Sequence, residues 1–191
     1  YRSSRGLGDV YKRQTLSFCG LFIYLSTVSF FLKDVFQVPT EYFGLAFATT
    51  VIGFVIGSLL SSRLVMKWGQ DKTLHRGTFV CLGANALVLF LTLYLPSSTV
   101  GFAILSILFF FGIGLISANA SMGAVSLYPH KAGAASAVYG CVHSLSSATV
   151  GAIAGLLYAG RLLEPVALML LCSVGALLGG ALIHRFRHHA A

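Results

Sequence analysis

The chain has 191 residues, of which 57% are hydrophobic and only 9% are charged, and its mean hydropathy is +0.85. Soluble domains carry charged residues at about a quarter of their positions, so this composition excludes an ordinary soluble domain and indicates a membrane protein. The net charge of +8 does not indicate nucleic-acid binding, because the Lys and Arg residues fall between apolar stretches rather than on one wetted face.

The first 14 residues, Tyr1–Gln14, differ in composition from the rest of the chain and resemble the translated adapter of a sequencing read. We exclude them from fold reasoning; the alternative is a natural basic lead. Without them, nine bases and four acids remain, a net charge of +5. The sequence then predicts three transmembrane helices in 15–95 and three more, with a basic cytoplasmic tail, in 96–191.

Six stretches without Asp, Glu, Lys or Arg are each long enough to cross a bilayer. Each is expected to be helical, because in hydrocarbon the backbone must satisfy its own hydrogen bonds. The sequence therefore predicts an all-α membrane protein with six transmembrane helices. The predicted spans are Thr15–Leu32, Phe43–Ser62, Gly77–Leu95, Thr99–Met122, Ala134–Ala159 and Val166–Ile183.

Charges in the connecting segments predict the orientation. With the N-terminus inside, seven bases lie in the inner segments and two in the outer ones, which fits the positive-inside rule. Both ends are thus predicted to be cytoplasmic. The inner bases are Arg63, Lys67, Lys72, Arg76, Lys131, Arg185 and Arg187, and the outer ones are Lys33 and Arg161.

The six spans divide into two three-helix units that are inserted in opposite orientations. This arrangement is typical of inverted-repeat transporters. Any chain of six spans with both ends inside shows the same alternation, so the pattern is compatible with such a transporter without requiring one.

Small residues four positions apart indicate close helix packing. Gly53 and Gly57 form such a pair in the second span, and Gly151 and Gly155 form another in the fifth. We expect both helices to be tightly packed. The same signal extends to glycines of the fourth and sixth spans.

Polar side chains at membrane depth are few, and each needs a partner or water. They are candidates for a transport pathway, and the alternative is a hydrogen bond between helices. For Asn85 we favour that packing role. The deep polar residues are Tyr24, Ser26, Ser29, Asn85, Asn119, Tyr139 and His143.

Enzymes and metal proteins are less well supported. His143 stands beside Ser144, but no G-x-S-x-G motif is present and adjacency in sequence does not place a base against a nucleophile. The four Cys lie inside apolar spans without C-x-x-C spacing, which argues against zinc, redox or disulfide roles. We expect no cofactor and no metal.

The segment Gly57–Lys72 resembles the degenerate second copy of the major facilitator loop motif, through Arg63, Lys67, Gly69 and Lys72. Downstream, 112–120 and 128–143 resemble the tenth and eleventh helices of the Bcr/CflA drug-resistance branch, and Tyr24–Phe36 resembles its seventh. The resemblance covers Thr15 to about Arg187.

Three residues depart from the branch pattern. Met66 replaces the Asp of a complete loop motif, Ser117 replaces the usual Pro before Asn119, and His143 stands where Gln is usual. The last two bear on substrate choice and on the bend of the tenth helix.

The resemblance implies the C-terminal half, helices seven to twelve, of a proton-driven multidrug exporter in the bacterial inner membrane. Its partners would be a small-molecule substrate, lipid and the missing N-terminal half, and its energy source the proton gradient. Helices seven and ten of that fold line the cavity, which makes Tyr24, Ser26, Ser29 and Asn119 substrate-binding candidates. Tyr139 and His143 would lie nearer the contact between the two halves of the transporter.

This half has no carboxylate at depth, so the coupling acid is expected in the missing half, with His143 as the local candidate. The basic loop would stabilise one conformer of the transporter, or its positive charges would simply keep it on the inner side of the membrane. An autonomous six-helix channel or half-size transporter is the main alternative. An intramembrane enzyme is a more distant one.

Overall fold

A computed structural model of the chain describes residues 2–95, 98–127 and 132–189, with side chains described for 14–70, 72–95, 98–117, 133–134, 137–138 and 140–178. Within these residues the chain is helical and contains no strand, which confirms the predicted all-α class. The helices are α1 (Arg2–Phe30), α2 (Phe43–Trp68), α3 (Gln70–Tyr94), α4 (Thr99–Leu127), α5 (Ala132–Leu156) and α6 (Leu163–His189).

Four helical segments of the described part are long and apolar enough to cross a membrane. They are Gln14–Val35, Thr40–Trp68, Lys72–Tyr94 and Thr99–Ser117. Shorter apolar helices cover Gly140–Leu156 and Leu163–Leu178, inside the fifth and sixth predicted spans. The helical membrane character is therefore confirmed, and the crossing of the last two spans stays a prediction.

The helices extend beyond the predicted apolar spans. Helix α1 begins at Arg2, so its backbone runs through the lead that we set aside, and α2 and α3 continue into the basic segment until only Gly69 separates them. Lys and Arg are good helix formers, so charge ends an apolar span without ending the helix. Gly69 has a φ of 84°, a conformation that L side chains rarely adopt, and it permits the sharp turn.

Helices α2 and α4 lie side by side and run in the same direction. A Cβ added to Gly53 would overlap the carbonyl oxygen of Ile107, and one added to Gly57 would overlap that of Phe111. One turn further, the Ser61 hydroxyl donates a hydrogen bond of 2.9 Å to the carbonyl of Leu115. Each step of four residues on α2 thus matches four residues on α4.

Helices α1 and α5 form a second parallel pair. Phe18 packs edge-on against His143, Ser26 lies beside Gly151, and Phe30 stacks on Tyr158. The paired positions therefore advance in the same direction on both helices.

Helices α3 and α6 complete the packing as antiparallel partners. Helix α3 packs on α4, where Gly77 meets Ile116 and Gly101 meets Leu91, and α6 packs on α1. Helices α3 and α6 also contact each other. The fully buried side chains lie mostly on α1, α3, α4 and α6 and include Ile23, Phe31, Leu74, Ile113 and Ile116.

The predicted tight crossings are confirmed with one exception. Gly53, Gly57 and Gly151 all face a neighbouring backbone within the reach of a Cβ, whereas Gly155 has nothing within 4 Å. The prediction for Gly155 was wrong, because no neighbouring helix comes within reach of a Cβ at that position. Gly114 adds to the α2–α4 crossing, since its Cβ would overlap the carbonyl of Phe54.

The two ends of the bundle differ in construction. At one end, the loop end, the segment 31–42, the residues Leu95 and Ser98, and the segment 157–162 come together around a small pocket lined by Phe36, Leu95, Ser98 and Leu162 among others. At the other end, the turn end, α2 and α3 meet at Gly69.

Candidate functional site

Most of the predicted pathway residues with described side chains lie along the contact between α1 and α5, which we call the α1–α5 seam. Phe18, Phe22, Ser26 and Ser29 follow one another at helical spacing on α1 and therefore share one side of that helix. On α5, His143 and Gly151 lie opposite them. The structure thus brings Ser26, Ser29 and His143 to one seam, although they are far apart in sequence.

His143 places an imidazole on this seam, at the level of Phe18. Its ring is half-buried and packs edge-on against Phe18, with ring centroids 4.5 Å apart and an angle of 67° between the planes. Phe18 fixes the plane of the imidazole, because an edge-to-face contact is the arrangement that the charge distribution of aromatic rings favours. The seam therefore holds an imidazole in a defined orientation.

Ser26 and Ser29 differ in their surroundings. Ser26 is half-buried, and its hydroxyl would lie 2.8 Å from a Cβ placed on Gly151, so the missing side chain at Gly151 makes room for it. Ser29, one turn further along α1, is exposed on the bundle surface. Of the two, Ser29 is the one available to a bound molecule without a change in packing.

Tyr24 lies on a different side of α1, inside the helix bundle. Its side chain is only 3% exposed. The ring stacks on Phe102 and meets Phe110 edge-on, with centroid distances of 6.2 and 5.1 Å. The side chains of Ser106 and Thr50 are hydrogen-bond partners of its hydroxyl.

The sequence pattern identified Tyr24 but not Thr50 on α2 or Ser106 on α4, which are both buried polar residues. Hydroxyls of Ser and Thr are common in membrane helices, so neither stands out in the sequence. The signal that would have found them is that a tyrosine at membrane depth needs partners for its hydroxyl. Together the three residues tie α1, α2 and α4 to one another.

Asn119 and Tyr139, the two remaining pathway candidates, lie outside the residues whose side chains the structure describes. They stay predictions. Asn85, by contrast, makes the interhelical bonds expected of a packing residue: its amide donates to the Ser173 hydroxyl at 2.8 Å and to the Met169 carbonyl at 3.2 Å. It joins α3 to α6.

The predicted cytoplasmic loop motif forms the turn end. Arg63, Lys67 and Lys72 are exposed, and Gly69 makes the turn between α2 and α3. The Thr73 hydroxyl donates to the carbonyl of Gly69 at 2.9 Å. These residues thus form one basic, tightly turned surface.

A further basic residue closes this turn. The Arg76 guanidinium carbon lies 3.7 Å from the centre of the Trp68 ring, a cation–π contact that joins the last residue of α2 to α3.

The loop end carries a different polar contact. The Tyr158 hydroxyl donates a long hydrogen bond, 3.4 Å, to the carboxylate of Asp34. Burial raises the pKa of the Tyr158 phenol above its ordinary value of 10.0, and the negative charges of Asp34 and Glu164, together with the hydrogen bond to Asp34, raise it further. The contact joins the segment that follows α1 to the connection between α5 and α6.

Metal and thiol chemistry find little support in the described part of the chain. No group of three His, Cys, Asp or Glu residues placed to hold a metal ion occurs there. The four cysteines are free thiols. What the seam offers is hydroxyls, an imidazole and aromatic rings, groups that can hydrogen-bond to and stack on a small organic molecule.

Two curated proteins show similarity to most of the chain. A protein named bicyclomycin resistance protein homolog, from Haemophilus influenzae, is 32% identical over 157 residues, which cover 82% of this chain and 38% of the relative. A chloramphenicol resistance protein from Pseudomonas aeruginosa is 30% identical over 148 residues, covering 76% of this chain and 35% of the relative. The chain spans less than two-fifths of the length of either.

No family model matches the chain, and no solved structure matches it. The similarity to drug-resistance proteins therefore rests on sequence identity alone. It agrees with the drug-resistance character of the family that the motifs resemble.

Proposed function

We propose that this chain is the C-terminal six-helix half of a proton-coupled multidrug efflux transporter of the major facilitator superfamily that works by alternating access. The observation that carries the proposal is the identity of about 30% with two drug-resistance proteins over most of this chain and little more than a third of theirs. A chain that aligns with so small a part of its relatives fits a half-transporter.

The helix packing supports two inverted three-helix repeats. If α1–α3 and α4–α6 are equivalent units, exchanging them turns the α2–α4 pair into the α5–α1 pair, and the α3–α4 pair into the α6–α1 pair. Both exchanged pairs are present, and the parallel pairs remain parallel. This is the relation expected of inverted repeats that rock around a central site.

We place the substrate site on the α1–α5 seam. Ser29 is exposed there, Ser26 is half-buried one turn away, and His143 is half-buried further along the seam, against Phe18. Hydroxyls and an imidazole among aromatic rings can hydrogen-bond and stack with an uncharged or weakly basic drug. Tyr24 contributes indirectly by holding α1 against α2 and α4, since it lies within the packed interior.

A transport assay tests the proposal. The complete reading frame that contains this chain is expressed in a bacterium without its own efflux pumps, and the accumulation of bicyclomycin and chloramphenicol is measured. We expect accumulation to fall and to recover when a protonophore collapses the gradient. Accumulation equal to the empty vector for both drugs contradicts efflux, and solute flux down its gradient without a proton requirement indicates a channel instead.

Proton coupling is tested separately through His143. None of the six predicted membrane spans contains an Asp or Glu. We therefore place the coupling acid in the other half of the transporter and give His143 a modulating role. Glutamine keeps hydrogen-bonding capacity but does not titrate, so His143→Gln is expected to retain extrusion while changing its dependence on pH. An unchanged pH profile removes His143 from the coupling scheme.

A further inference from the structure

A lipid-facing groove lies between α2 and α3. On α4, Ile107 faces α2 through its contact with Gly53, and the carbonyl of Phe109 faces α3, where it accepts a hydrogen bond from the Cys81 thiol. Successive helical residues point about 100° apart, so Leu108, between these two, points into the gap between α2 and α3. Leu108 is 39% exposed, and Ile104, one turn away, is 60% exposed.

The groove has apolar walls. Helices α2 and α3 pack extensively on α4 but little against each other, so they diverge from their shared turn. Ile56 and Leu60 of α2 and Leu87 of α3 are exposed large apolar residues. The resulting V-shaped groove has α4 as its floor and narrows toward Gly69.

Cations stand where the groove narrows. Arg63 and Lys67 continue the stripe of Ile56 and Leu60 at helical spacing, so the apolar side of α2 ends in two positive charges. Lys72 and Arg76 stand at the start of α3, and Arg76 is held over Trp68. With Asp71 as the acid of this segment, the sequence 63–76 carries a net charge of +3.

The loop end does not have this charge. Its bases are Lys33 and Arg161 and its acids are Asp34 and Glu41; together with Glu164 in the adjoining first turn of α6, the net charge is −1. The two ends thus differ by four charges. An inside anchor requires the positive charges alone; it does not require an apolar groove that leads into them.

We propose that this groove is a binding site for an anionic phospholipid. One acyl chain lies along Ile104 and Leu108, and the headgroup phosphate lies among Arg63, Lys67 and Lys72. Basic residues at the end of a membrane helix attract anionic headgroups, and the adjacent apolar floor gives the acyl chain a defined place. The site would tie membrane composition to the α2–α3 turn, and it does not depend on the proposed transport function.

The test is native mass spectrometry of the full-length protein in detergent, with phosphatidylglycerol or phosphatidylcholine added. We expect phosphatidylglycerol adducts to be retained and phosphatidylcholine adducts to be lost. The variant Arg63→Ala/Lys67→Ala/Lys72→Ala is expected to bind phosphatidylglycerol at least about tenfold more weakly. The matched control Lys33→Ala/Arg161→Ala removes two cations from the loop end and is expected to bind normally.

A second variant tests the groove rather than the charge. Leu108→Trp keeps every cation but fills the floor, and it is expected to weaken phosphatidylglycerol binding as well, with circular dichroism showing that it remains folded. Undiminished binding by either the triple variant or Leu108→Trp overturns the proposal. Equal weakening by the loop-end control also overturns it, because the attraction is then non-specific. Complete displacement by inorganic phosphate overturns the lipid assignment in favour of a free-phosphate site.

Discussion

The α2–α4 pair and the α1–α5 seam are both parallel helix pairs, yet they are built differently. On α2, Gly53 and Gly57 bring backbone against backbone at two successive turns, and one turn further the Ser61 hydroxyl donates to the Leu115 carbonyl. Among the described residues of the seam, Gly151 makes one such approach, and ring contacts join Phe18 to His143 and Phe30 to Tyr158. Backbone-to-backbone packing leaves no freedom to adjust, whereas ring contacts can slide. The proposed site therefore lies on the more adaptable of the two pairs.

Alanine at Gly57 is expected to have the largest effect of the changes that test this comparison. Its Cβ would overlap the backbone of Phe111, which cannot rotate away. We expect a loss of about 3 kcal/mol in the free energy of unfolding, measured by chemical or thermal unfolding of the purified protein. Gly155→Ala is the matched control, because nothing lies within 4 Å of that position. Similar stability of the two variants would contradict the tight α2–α4 crossing.

Alanine at Gly151 is expected to cost less, about 1–2 kcal/mol. Its Cβ would lie 2.8 Å from the Ser26 hydroxyl, which can rotate, and 2.9 Å from the Phe22 carbonyl, which cannot. Adding Ser26→Ala should recover part of the loss. If Gly151→Ala destabilises as strongly as Gly57→Ala in the same unfolding assay, the seam is not the looser pair.

Replacing Asn85 by Leu is expected to destabilise by about 1 kcal/mol without affecting either parallel pair. The substitution removes the hydrogen bonds to Ser173 and Met169. A double-mutant cycle with Ser173→Ala measures the bond between the two side chains. Additive losses would mean that the Asn85–Ser173 bond contributes nothing to stability.

The smallest effect is expected at Tyr158. Because the folded state raises the pKa of this phenol, it binds the proton more tightly than the unfolded chain does. The stabilisation is therefore fully present below the ordinary value of 10.0 and is lost as the pH rises through the raised pKa. Tyr158→Phe should remove this alkaline dependence from the free energy of unfolding. An identical pH profile in the variant would show that Tyr158 and its contact with Asp34 do not cause the alkaline dependence of the free energy of unfolding.

Much of the fold could be predicted because a backbone in hydrocarbon must satisfy its own hydrogen bonds, and an apolar span does so by forming a helix. The uncharged stretches gave the helices, and the spacing of Gly53 and Gly57 gave a close crossing, although the partner helix could not be named from sequence. The boundaries were less accurate, since the turn at Gly69 lies inside a charged segment that still favours helix.

The candidate site was predicted only in part. Polarity at depth identified Ser26, Ser29 and His143, but the same criterion selected Tyr24, which the structure buries among Phe102, Phe110 and two hydroxyls. Which side of α1 faces a neighbour depends on contacts with residues of other helices that are distant in the sequence, from Phe102 on α4 to Gly151 beyond it on α5. A one-dimensional pattern does not contain that information.

The pairing of the helices also fixes the order in which the bundle can assemble during synthesis. Helices α2, α3 and α4 contact one another and can associate as soon as α4 has entered the membrane. Helix α1 packs mainly on α5 and α6, and its contact between Asp34 and Tyr158 spans 124 positions. Within these six helices, α1 is therefore synthesised first and meets its main partners, α5 and α6, last.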